Sequence, residues 1–140
     1  MKNKKLTVIV IVAVMVVAAI IAIIAAVLTR QGMPLSSGVF VNQNFRVADD
    51  TWRLTAVRAS GNSRINYSFT EANLAAMNVN STNSGGNITL TFIQGDTERS
   101  YDISGAFTDR INMSDFKPGK IRLRLDFADA DNLDIEINWR

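Results

Sequence analysis

Residues 120–139 read KIRLRLDFADADNLDIEINW, and the fold turns on how this stretch is parsed. Ile121, Leu123, Leu125 and Phe127 alternate with Arg122, Arg124 and Asp126. Leu133, Ile135, Ile137 and Trp139 then alternate with Asp134, Glu136 and Asn138. A period of two places one set of side chains on one face of a strand. The pattern therefore predicts two strands joined as a hairpin, with residues 128–132 as its loop where Phe127 faces Leu133.

Two registers match the apolar faces of that hairpin. With Phe127 opposite Leu133, Asp126 faces Asp134, and like charges directly opposed are destabilising. Asp129 and Asp131 stand just above, so that corner is strongly anionic. A Ca²⁺ ion would relieve it, since it takes six to eight oxygen ligands. The candidate metal ligands are accordingly Asp126, Asp129, Asp131 and Asp134. A shift by two residues removes the conflict: Arg124 faces Asp134, Arg122 faces Glu136 and Asp126 faces Asn132. That register needs no ion and is the preferred one. The loop also lacks the spacing and central Gly of an EF-hand.

The same alternation recurs upstream. It marks Trp52–Ala56, Ile65–Phe69 and Ile88–Phe92, and more weakly Phe40–Val47 and Glu98–Ile103. About seven short strands, each with one apolar face, predict an all-β antiparallel sandwich of two packed sheets, the size of an immunoglobulin-like or jelly-roll domain. One short helix is expected where Thr70 caps residues 71–77. Turns are expected at residues 94–96 and 117–120, and a loop over the Asn-rich residues 78–87. Trp52, Tyr67, Phe69, Phe92, Phe127 and Trp139 sit on the apolar phase and read as core. Tyr101 and Phe107 lie in less regular segments, where exposed rings would serve a glycan ligand.

Ahead of this domain, residues 6–28 (LTVIVIVAVMVVAAIIAIIAAVL) hold no charge, no Gly and no Pro. Twenty-three helical residues span roughly 34 Å, enough for a hydrocarbon core of about 30 Å. A signal-peptide core is usually about 7–15 residues and precedes a small-residue cleavage site. This run is longer, and Thr29-Arg30-Gln31-Gly32 gives no such site. The expectation is a retained single-pass anchor preceded by Lys2, Lys4 and Lys5. The positive-inside rule leaves residues 1–5 in the cytoplasm and places the C-terminal domain outside. Residues 29–38 then form a linker and residues 39–140 the extracytoplasmic domain. Ala18, Ala22 and Ala26, four residues apart, line one side of the helix and would let two copies approach in a membrane.

Composition narrows the function. The net charge is +2, but four of the cations lie in the first 30 residues, leaving 11 Lys+Arg against 13 Asp+Glu, a net of −2. Nucleic acid is therefore not an expected partner. The chain has no Cys and no His, which excludes disulfides, Ser-His and Cys-His nucleophiles and the usual zinc sites. An enzyme is not expected, and a carboxylate-pair hydrolase is the least favoured class. The expected function is a membrane-anchored extracytoplasmic binding or interaction module for a protein, glycan or cation-dependent partner. The alternative is a structural subunit of an envelope or membrane complex assembled through the anchor helix. No cofactor is expected beyond the Ca²⁺ considered above.

Overall fold

Two strands of about twenty residues organise the domain. The computed structural model describes residues 14–21 and 35–140. Residues 14–21 are helical (α1), and no helix among the described residues is long and apolar enough to cross a membrane. The rest of the expected span 6–28, with Ala22 and Ala26, lies outside the described residues, as do the tail 1–5 and residues 29–34. The β-domain is a unit of its own, Gly32–Arg140. Its elements are β1 (Leu35–Val41), β2 (Asn44–Ala48), β3 (Thr51–Phe69), α2 (Glu71–Ala75), β4 (Asn78–Thr82), β5 (Gly85–Gln94), β6 (Thr97–Asp102), β7 (Phe107–Arg110) and β8 (Gly119–Asn138).

The all-β antiparallel expectation holds, with a different strand layout. All eight strands belong to one open sheet. Its spine is the antiparallel pair β3–β8, running from Thr51↔Asn138 to Phe69↔Gly119. Beyond β3, β2 covers one half and β1 the other. Beyond β8, β4 and β5 divide the edge in the same way, and β7 and β6 lie outside them.

The hairpin read into residues 121–139 is therefore corrected. Ile121–Phe127 and Leu133–Ile137 are parts of one strand, and neither of the two registers exists. Asp126 lies opposite Asn62 on β3 and Thr89 on β5, while Asp134 lies opposite Thr55 and Thr82. The physical reason is a double kink. Asp129 and Asn132 both have φ of 49°, the left-handed region that Asp and Asn tolerate better than most residues. The buried positions run 121, 123, 125 and 127, shift to Ala130, and shift again to 133, 135 and 137. Two shifts of one residue restore the original phase, so a bent strand looks in sequence like two strands around a loop.

The neighbouring strands bend at the same level. On β3 the buried phase changes between Ala56 and Ala59, and the ladder slips between Ala59 and Gly61. On β5 it slips between Gly85 and Asn87. Gly61 lies opposite Gly38 of β1, with φ of 124° and 129°. A Cβ on Gly61 would sit 2.2 Å from the Ser37 carbonyl oxygen, and one on Gly38 would sit 2.1 Å from that of Ser60. Only glycine allows backbones to cross so closely in that conformation.

These bends fold the sheet over onto itself. Asp50 and Tyr67 are 17 residues apart, about 56 Å along a straight strand. Yet the Tyr67 hydroxyl donates to Asp50 Oδ1 at 2.8 Å. Trp139 packs against Tyr67 and Phe69, with ring centroids 4.8 Å and 5.2 Å apart. The two halves of the ribbon thus face each other across one core that includes Trp52, Phe92, Leu123, Leu125, Ile135 and Trp139. Burying each large apolar side chain of this kind contributes about 1.5–3 kcal/mol.

Local signals account for much of the rest. The β5–β6 hairpin turns on Gly95-Asp96, between the paired Gln94 and Thr97. The β2–β3 hairpin turns on Asp49-Asp50, both at positive φ (53° and 57°), as the favoured two-residue turn requires. Thr70 caps α2: the Asn73 N–H donates to Thr70 Oγ1 at 3.2 Å, and the Thr70 N–H donates to Asn73 Oδ1 at 2.9 Å. The Asn73 amide then donates to the Trp139 carbonyl at 2.7 Å, tying the helix to the end of β8. The expected loop 78–87 instead contains β4 and the start of β5, and Leu35–Gly38 of the expected linker are strand.

Candidate functional site

An edge strand exposes unpaired backbone N–H and C=O groups, and natural sheets protect such edges with charge, brevity or bends. Among the described residues four strands lie at an edge: β1, β2, β6 and β7. β2 carries Arg46. β6 carries Glu98, Arg99 and Asp102, with Arg99 paired to Asp115 at 2.7 Å. β7 is four residues long and carries Asp109 and Arg110. β1 alone has no charge: its seven residues read LSSGVFV.

β1 also presents its apolar side chains outward. Ser36 Oγ donates to the buried Ser63 Oγ at 3.2 Å, and Phe40 packs edge-on against Phe127 with centroids 5.7 Å apart. The even positions thus face the core. The odd positions Leu35, Val39 and Val41 face solvent and are 56%, 64% and 42% exposed. Val57, 49% exposed, joins Val41 at the rim of a shallow depression of about 470 Å³ whose polar side is Arg58, Ser84 and Asp131. Sequence reasoning placed residues 35–38 in a linker, because Ser-Ser-Gly breaks regular structure in most contexts.

The four aspartates considered as metal ligands are spread along β8, three of them with separate partners. Arg124 Nε donates to Asp126 Oδ2 at 2.8 Å, and Arg58 Nε donates to Asp131 Oδ1 at 3.1 Å. Arg53 forks onto both oxygens of Asp134 at 2.8 Å and 3.2 Å. That hydrogen-bonded contact, with its charge, holds the Arg53 guanidinium more firmly protonated than usual. Asp129 occupies one of the two left-handed positions of the bend. Among the described residues no group of three or more carboxylates gathers as a metal site would need. The three paired aspartates of β8 are answered by arginines on β3 and on β8 itself.

A second concavity lies under α2. It encloses about 640 Å³, with Leu74, Ile111, Met113 and Phe116 as an apolar floor. Its ionisable lining residues are Glu71 and Arg110, of opposite sign, so the cleft holds no carboxylate pair. The Arg110 guanidinium donates to the Ala75 carbonyl and closes one side.

Two further groups have shifted protonation. Burial, then the hydrogen bond to Asp50, pushes the Tyr67 hydroxyl up, while Trp139 opposes this. The Trp139 indole N–H is buried without a hydrogen-bond partner. The Ser104 hydroxyl and N–H donate to Asp102 Oδ1 at 2.5 Å and 3.0 Å and hold that carboxyl below its usual range. Both groups pin chain segments together: Tyr67 at the closure of the ribbon, Asp102 at the loop after β6. Of the aromatics read as core, all are buried except Tyr67, which is half-buried; Tyr101 and Phe107 are partly buried against the core. They form no exposed platform.

No protein-family model matches the chain. No curated protein matches it either.

Proposed function

We propose that this protein is a membrane-anchored interaction module that holds its β-domain outside the cell and docks partners by strand addition at β1. The observation that carries the reading is the uncharged, outward-facing apolar edge of β1 in a sheet whose other edges carry charge. Strand addition draws affinity from main-chain hydrogen bonds and specificity from alternate side chains, and β1 offers both. The apolar run 6–28, led by three lysines, supplies the anchor and the orientation. With no His, no Cys and an acid–base-poor cleft, recognition fits this domain better than catalysis.

The location is tested by washing membranes of cells expressing the full chain at alkaline pH, then treating intact cells with protease. Retention in the pellet and digestion of the β-domain from outside are expected. Release into the wash would overturn the anchor, and protection from external protease would overturn the orientation.

A further inference from the structure

The geometry points to a second copy of this chain as the occupant of the β1 edge. The inference rests on the strand-addition reading and names its partner. It predicts a symmetric dimer in which the two β1 strands pair antiparallel about Gly38.

In the register centred on Gly38, Leu35 faces Val41 of the second copy, Ser36 faces Phe40 and Ser37 faces Val39. Residues of like phase oppose each other throughout, so both core-facing sets stay inward and both outward sets stay outward. The solvent-facing Leu35, Val39 and Val41 of the two copies then share one outer face, with a Ser37–Val39 pair on each side of Gly38 and a Leu35–Val41 pair beyond it. Leu35 and Val41 meet as direct cross-strand neighbours twice, the kind of pair that stabilises sheets. No charge opposes another, because β1 contains none.

The other edges of the chain match less well. Antiparallel addition of β2 would set Arg46 against an apolar strand. Addition of β6 would do so with Glu98, Arg99 and Asp102, and addition of β7 with Asp109 and Arg110. Those pairings would also be head-to-tail and leave β1 free at one end of a growing fibre. Pairing of β1 with itself is isologous. It consumes the uncharged edge on both copies, so assembly stops at two.

The chain has no cysteine, which allows a direct test. Full-length Leu35→Cys and Val41→Cys proteins are purified in detergent, mixed and oxidised. The register predicts a disulfide between the two variants, since paired residues fall within disulfide reach. Neither variant alone should cross-link, since residue 35 of one copy lies six positions along the strand from residue 35 of the other. In parallel, mass in detergent is measured for wild type and Val39→Arg. Wild type is expected to be dimeric and Val39→Arg monomeric but still folded, with the far-ultraviolet circular dichroism of the wild type, because Val39 is exposed in the monomer.

A dimer unaffected by Val39→Arg overturns the inference and points to the anchor helices instead. A monomeric wild type, or a particle holding a different polypeptide at β1, overturns it as well. Those outcomes are separable from failure of the wider reading. A different polypeptide displaced by Val39→Arg keeps strand addition and refutes only the second copy. A wild-type monomer that leaves the membrane with no polypeptide at β1 refutes strand addition itself.

Discussion

Gly61→Ala tests the central claim about the fold, that a glycine crossing between β1 and β3 allows the sheet to bend. The new methyl would stand 2.2 Å from the Ser37 carbonyl oxygen and 2.7 Å from the Gly38 Cα. Both are backbone atoms of β1, so no rotamer change relieves the contact, and the strand must move by about 1 Å to reach ordinary van der Waals separation. The φ of 124° adds its own cost, on the order of 1–3 kcal/mol for a residue with a side chain. Gly95→Ala isolates the conformational part. Its φ is also positive, at 56°, but nothing lies within 4 Å of the added methyl, so it should cost about 1 kcal/mol. Gly61→Ala should cost at least about 2 kcal/mol more than that control, or roughly 8–16 °C of additional Tm for a domain of this size. Fluorescence of Trp52 and Trp139, both buried in the core and the chain's two tryptophans, reports the unfolding. Since both glycines relieve one contact, Gly38→Ala combined with Gly61→Ala should cost less than the sum of the singles. A Gly61→Ala protein that melts within about 2 °C of Gly95→Ala would refute the crossing as the reason for glycine.

Three further outcomes follow from the site geometry. The Tyr67 hydroxyl is raised by burial and by Asp50, so its contribution to stability is complete below pH 10 and fades as pH rises through the folded-state value. Ultraviolet titration should show one of the two tyrosines ionising late, and Asp50→Asn should bring it earlier; no change would remove Asp50 from the account. Asp102 is held low by Ser104, so its contribution is present above the ordinary carboxylate range and is lost as pH falls through the lowered value. Its carboxyl resonance, followed by NMR, should titrate nearer the normal range in Ser104→Ala. Finally, Asp126, Asp131 and Asp134 each engage a different arginine, so millimolar Ca²⁺ should leave Tm unchanged to within about 1 °C. A rise abolished by Asp129→Asn/Asp131→Asn would show that the bend binds the ion after all.

Most strand positions were legible from alternation, because every long segment buries one face. What alternation left open was how many strands those segments make. A single kink would have left the two halves of β8 out of phase and exposed the bend. The paired kinks at Asp129 and Asn132 cancel, and a twenty-residue strand passes for a hairpin. The same stretch shows why its aspartates looked like a site. Asp and Asn recur there because the backbone turns left-handed, while Asp131 and Asp134 match arginines of β3, 73 and 81 residues earlier, and Asp126 matches Arg124 beside it on β8. β4 was hidden differently: Val79 is its only large apolar residue, and Ser81, fully buried, has no hydrophobic signature. The β1 edge was the least legible feature of all. LSSGVFV is composed like the end of a linker, and it belongs to the sheet only because Gly38 meets Gly61. Whether a segment is an edge depends on its neighbours, and those are decided by the corner. The residues that bend the sheet thus also create the surface through which it is proposed to act.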